Sequence, residues 1–205
     1  MLLETKLNAR FGLEKLGTAY TWEIMKPKYE AWLSNLKVIR FNQAEQTAIK
    51  IIPHLPIYQQ IEKETNVPAV WLAAINERES STNFNTYLGN GDPLNRSTRH
   101  VPINRGPFKN WQSGAMDALK LMNLIGLPAW SETFFCFKGE LYNGLGYEIH
   151  GIPSPYIFGG TSVQKCGKYT SDGQYNPYIM DTQLGIIPIY FALIAQIPSL
   201  ALPLV

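Results

Sequence analysis

Apolar positions recur at helical spacing along most of this chain. Trp22, Met25, Tyr29, Trp32, Leu33 and Leu36 keep the helical period from Tyr20 to Leu36, interrupted or restarted near Pro27. Ala44 to Ile52 reads as a second helix, broken by Pro53 to Pro56, and Ile57 to Thr65 as a short third. Asn66 then reads as the cap of a helix with Pro68 in its first turn and Trp71, Leu72 and Ile75 as its apolar stripe. That helix should end at Ser80–Thr82, where short hydroxyl side chains compete for backbone hydrogen bonds. Trp111 to Ile125 is helical up to Gly126 and Pro128. Ser131 is a candidate N-cap for a helix to Tyr142, and Asp181 to Ala195 reads as the last helix.

Two segments lack this period. Residues 83–110 are dense in Asn, Gly, Pro and Arg, as a long loop or small strand region, and 143–180 are rich in Gly, Pro and Tyr. Loops this long usually carry function. Polar-aromatic loops suit carbohydrate, because sugar rings stack on aromatic faces while Asn, Asp and Gln read hydroxyls. The expected fold is mainly α, with long polar-aromatic loops and a small β element. Residues 1–54 read as an N-terminal helical arm, 55–196 as the main domain and 197–205 as an apolar tail.

Composition narrows the function classes. The chain has 205 residues, 45% hydrophobic, 12% aromatic and 17% charged, which excludes a disordered chain and a coiled coil. A net charge of +2 is too weak to argue for nucleic acid. Cys136 and Cys166 are too few for a disulfide scaffold and read as two small buried residues. With His54, His100 and His150 they show no metal-ligand spacing, so neither metal nor other cofactor is expected. Glu4, Lys6 and Arg10 interrupt any apolar core at the N-terminus, so no signal peptide is expected. Thr182 to Val205 carries no charge. It is long enough to span a membrane, but Gly185, Gln196 and three prolines favour a buried core helix with an apolar tail that a partner or membrane surface could take.

The candidate chemistry lies at the end of the Pro68–Ser80 helix. Glu79 follows Ile75 by four residues and Leu72 by seven, so it projects from the apolar stripe. Glu77 lies about 160° away around the axis, at ~100° per residue. Desolvating a carboxyl disfavours its charged form, the property a glycosidase general acid needs. Glu79 is therefore the candidate acid and Glu77 a solvated or structural charge. The structural alternative for Glu79 is a buried ion pair with Arg78 or Arg105. Asp92, thirteen residues further on in Gly89-Asn90-Gly91-Asp92-Pro93, is a candidate second carboxylate across a cleft. Its structural alternative is a turn cap.

The stretch Ala73-Ala74-Ile75-Asn76-Glu77-Arg78-Glu79-Ser80, followed by Asn83-Phe84, resembles the catalytic helix of the lysozyme superfamily, in the branch of goose-type lysozymes and lytic transglycosylases. Leu88 to Leu94, then Thr98-Arg99-His100-Val101-Pro102, resemble phage- and prophage-type lysozyme-like proteins. Tyr142-Asn143-Gly144-Leu145-Gly146-Tyr147 is similar to the Tyr-Asn-x-Gly signature of a later helix, and Ser154-Pro155-Tyr156, Gly167-Lys168-Tyr169 and Asp172-Gly173 fit the same group. The resemblance covers about residues 55–195. It implies a lysozyme-like helical domain that cleaves between N-acetylmuramic acid and N-acetylglucosamine, with Glu79 as acid, Asp92 as base, and Asn83, Tyr142, Asn143, Tyr147 and Tyr156 as glycan contacts. The Gly-Leu-Met-Gln block of lytic transglycosylases is missing, which favours hydrolysis.

Two classes of function follow. One is a muramidase, a hydrolase with peptidoglycan as its partner, made in the cytoplasm and acting at the wall or periplasm after lysis or particle delivery. The other is a non-catalytic glycan-binding or structural part of a phage tail or injection assembly, docked through the termini. A lytic transglycosylase is a variant of the first, separable by its products alone.

Overall fold

The computed structural model describes residues 20–171 and 173–203, and it is mainly helical, as expected. Helix α1 spans Trp22–Leu33, α2 Phe41–Ile51, α3 Leu55–Thr65 and α4 Ala69–Ser80. After the long loop come α5 (Trp111–Leu121), α6 (Glu132–Asn143) and the single turns α7 (Gly146–Ile149) and α8 (Pro155–Phe158). An antiparallel hairpin, β1 (Lys168–Ser171) and β2 (Gln174–Asn176), pairs Tyr169 with Tyr175 and precedes α9 (Ile186–Gln196). The small β element therefore lies in 168–176. The 83–110 segment is a loop whose backbone meets at an isolated bridge between Thr86 and Pro93.

Helix α4 runs through the core. Its residues Ala69 to Asn76 are all buried, with α3 packed on one side and α9 on another. Helix α9 also lies against α2, α6 and α8. Its sequence is apolar all round, so it has to be covered on several sides. This packing accounts for the uncharged C-terminal stretch. No helix of the described residues is long and apolar enough to cross a membrane.

Both expected boundaries give way to this packing. Residues 22–51 are not a separate arm: α1 lies along α6 and α2 along α9. Tyr29, Ala44, Ala48 and Ile51 share one buried core with Trp71 and Leu72. Pro53 and Pro56 open a 3-10 turn, Ile52–His54, and α3, where a missing N–H costs no helical hydrogen bond. The tail returns as well. Leu202 N–H donates to the Tyr190 hydroxyl at 2.9 Å, and Leu200 and Leu202 pack half-buried on the core. Residues 1–19, which carry the signal-peptide expectation and most of the arm's unmatched start, lie outside the described residues, as do Asp172, Leu204 and Val205.

Local corrections have local causes. Asn66 does not start α4. It ends α3 with φ of 63°, a left-handed turn that Asn tolerates better than most residues, and Pro68 directly precedes α4. Pro27 sits inside α1 without ending it. Ser131 does cap α6, accepting from Phe134 N–H at 3.2 Å. Helix α9 starts five residues later than expected, because Asp181 has partners elsewhere. Cys136 is buried as expected, whereas Cys166 is exposed, and both are free thiols.

One crossing positions the site. Gly185 and Gly159 let residues 157–159 and 183–185 touch through their backbones, and Gly185 N–H donates to Gly159 at 2.8 Å. A Cβ on Gly185 would come within 2.3 Å of the Ile157 carbonyl oxygen. Arg40, just before α2, fastens the same segment: its guanidinium donates to the carbonyls of Asp181, Thr182 and Gln183 and to Gln164.

Candidate active site

The last turn of α4 emerges from the core. Glu77, Arg78, Glu79 and Ser80 are half-buried, after eight residues that are fully covered. Because α4 is buried on both faces, hydrophobic period does not separate Glu77 from Glu79. Their partners do. Glu77 pairs with Lys50 Nζ at 2.6 Å and accepts from the Thr82 hydroxyl at 2.5 Å, the geometry of a structural charge closing the helix end. Glu79 Oε1 instead accepts from the Tyr156 hydroxyl at 2.9 Å.

The two arginines considered as partners for Glu79 each hold another carboxylate. Arg105 Nε donates to Asp117 at 2.9 Å. Arg78 donates to Asp181 Oδ2 at 2.8 Å and to the Leu184 carbonyl at 3.1 Å, and its guanidinium lies 5.0 Å from the centre of the Tyr156 ring. Asp181 also takes Lys168 Nζ and the Gln183 N–H, each at 3.0 Å. Burial pushes the Asp181 carboxyl up, but the Arg78 charge and these hydrogen bonds outweigh it and hold the group below its ordinary 3.8. The result is a buried ionic knot that locks the turn carrying Glu79 to the segment entering α9.

Tyr156 is central to this arrangement. Burial, and then the neighbouring Glu79 charge, push its phenol well above the ordinary range, so it stays a neutral donor to the carboxylate. Tyr142 packs edge-on against Trp71, with ring centres 5.5 Å apart, and donates to the Leu88 carbonyl at 2.8 Å. Tyr147 packs edge-on against Tyr169, at 5.2 Å between ring centres. Tyr142, Tyr147 and Tyr156 are 3%, 6% and 4% exposed, so none offers an open face for a sugar to stack on. These tyrosines are supports: one holds the carboxylate, one holds the loop after α4, and one seats the hairpin.

Asp92 also changes role. It is buried and accepts the backbone N–H groups of Arg99 at 2.8 Å and His100 at 2.9 Å, and it contacts His100 Nδ1 at 2.7 Å. Burial pushes this carboxyl up, and the hydrogen bonds from His100 and Arg99 more than reverse it, leaving it below 3.8. A carboxylate so occupied braces the loop from Asp92 to His100. Asn83 is exposed four residues after Glu79, and its Oδ1 shapes the turn by accepting from Asn85 N–H at 2.9 Å. Asn143 is half-buried as the last residue of α6.

Sequence reasoning missed the Arg78–Asp181–Lys168 knot and the pairing of Asp92 with His100. A signal existed for the first: Asp181 is the last charge before an uncharged run of 24 residues, Thr182 to Val205. The second needed the loop's fold. Among the described residues no group of three His, Cys, Asp or Glu side chains is placed to hold a metal ion. Comparison with protein-family models, with curated proteins and with solved structures finds no match to this chain.

Proposed function

We propose that the chain is a muramidase, cleaving peptidoglycan glycan strands with Glu79 as general acid. The observation that carries this reading is a carboxyl at the emerging end of a buried helix, held at 2.9 Å by a buried phenol. The motifs around Glu79 that resemble lysozyme-like proteins support the same assignment. Protonated Glu79 gives its proton to the glycosidic oxygen as the bond to the anomeric carbon breaks, and positive charge develops at that carbon. Water then adds there. Tyr156 fixes the direction of the carboxyl, which matters because misplacing a reacting group by about 1 Å can cost about 10²-fold in rate.

Mass spectrometry of purified peptidoglycan after digestion tests this reading. New reducing ends are expected. Anhydro ends would make the chain a lytic transglycosylase, and the absence of products would favour a glycan-binding part of an assembly. Glu79→Gln should lose turnover and keep its melting temperature, since the amide still accepts from Tyr156. Glu77→Gln should keep most activity. If Glu77→Gln is the dead variant, the acid is misassigned.

A further inference from the structure

The loop that follows α4 holds an imidazole in a way a simple surface histidine does not need. The His100 side chain is 77% exposed, yet the residue is held from both sides of a single glycine. Asp92 binds its backbone N–H and its Nδ1, and the Asn90 side-chain amide donates to its carbonyl at 2.9 Å. Gly91, between those two residues, lies against the end of α4: a Cβ there would be 3.2 Å from the Glu79 carbonyl oxygen. Its φ of +76° also favours glycine. The peptide that touches Glu79 is thus flanked by the two residues that hold His100.

Hydrogen-bond chemistry then assigns the ring. An ionised Asp92 can only accept, so Nδ1 carries the hydrogen, and in the neutral ring the lone pair then lies on Nε2. The carboxylate is spent on orientation and the imidazole presents the basic atom.

We propose that His100 is the base that activates the attacking water and that Asp92 is its positioning residue. This rests on the muramidase reading above. Glu79 transfers its proton to the leaving glycosidic oxygen while the bond from that oxygen to the anomeric carbon breaks, its electron pair staying on the oxygen. The water oxygen bonds to the anomeric carbon and one water proton passes to His100 Nε2. That proton then leaves to solvent, Glu79 takes one back, and the net change is addition of one water across the bond.

The test uses the full chain and soluble peptidoglycan fragments. His100→Gly should lower kcat by about 10²-fold or more, the usual scale of a lost general base, with little change in Tm because the ring is exposed. Added imidazole should restore part of that rate in proportion to its concentration. Asp92→Asn should lower kcat without response to imidazole, because the amide places a donor opposite Nδ1 and moves the ring hydrogen to Nε2. Imidazole rescue of His100→Gly would stand even if Asp92→Asn failed to fold. The proposal is overturned if His100→Gly stays within about threefold of the parent while Glu79→Gln is dead, if its loss does not respond to imidazole, or if the products are anhydro sugars alone. If the parent chain releases no glycan products at all, the muramidase reading falls and takes this proposal with it.

Discussion

Asp181 and Glu140 are both carboxylates buried to within 2% exposure, at different places in the molecule, and the fold treats them oppositely. Asp181 is surrounded by Arg78, Lys168 and the Gln183 N–H, and is held ionised. Glu140, on α6, has the Tyr29 hydroxyl of α1 at 3.0 Å on one oxygen, while its other oxygen has no hydrogen-bond partner among the described residues. The nearby cation, Lys28, is taken by Glu148. Burial, then the Glu148 charge, push Glu140 up to about 8. The ionic knot sits beside the proposed catalytic turn, where direction matters. The neutral acid sits in a helix-helix seam, where an uncompensated charge would be costly. Burial alone does not decide a carboxyl's state; the availability of a cation does.

The two groups therefore drive stability in opposite directions with pH. Asp181 has a folded value below its ordinary 3.8, so its contribution is present above that pH and is lost as pH falls through the folded value. Glu140 has a folded value above its ordinary 4.5, so its contribution is complete below pH 4.5 and is lost as pH rises toward 8. The largest break in this contrast is Asp181→Asn. It leaves the nearly buried Arg78 guanidinium without its counter-charge and should cost roughly 3–5 kcal/mol in urea unfolding, with glycan cleavage falling too. A variant that unfolds at the parent's midpoint would show that the knot is not structural.

Tyr29→Phe comes next. It removes the hydroxyl donor to Glu140 and should cost about 1–3 kcal/mol, the scale of a buried acceptor left unsatisfied. Glu140→Gln is the smallest in acid, within about 1 kcal/mol below pH 4.5, because there a neutral amide replaces a neutral acid and can still accept from Tyr29, and it should become the more stable chain at neutral pH, where the parent must take up a proton to fold. Its effect is on shape: melting temperature against pH should flatten between 4.5 and 8, the window set by the ordinary and folded values. An unchanged slope in that window would mean that Glu140 is ionised in the fold.

The helices were legible because their apolar residues repeat at 3.6, and that period persists wherever one face is buried. The same rule misled on α4, whose two faces are both covered, so Glu79 and Glu77 differ through Tyr156 and Lys50 and not through a stripe. Prolines 53 and 56 read as a boundary because proline ends helices, yet it also starts them, and only the packing of α1 on α6 and α2 on α9 decides which applies. Tyr142, Tyr147 and Tyr156 stood in glycine-rich segments that suggested open rings. Gly146 there makes room for the Tyr169 ring and Gly159 for the Gln183 carbonyl, and the three rings are buried. The Asp92–His100 contact spans eight residues of loop and leaves no periodic mark.

The place of α9 has a consequence for the order of events during synthesis. The helix bearing Glu79 is made before residue 81, but one of its covering faces belongs to residues 186–196, and the knot that locks its last turn waits for Asp181. Chains emerge from the ribosome N-terminus first, at roughly 5–20 residues per second. For several seconds, then, the nascent chain carries an acid-bearing helix with an apolar flank uncovered and Arg78 without its counter-charge. The turn holding Glu79 is completed only once Asp181 and residues 186–196 have been made, so a polypeptide stopped at residue 180 should be open to proteases and carry no assembled site.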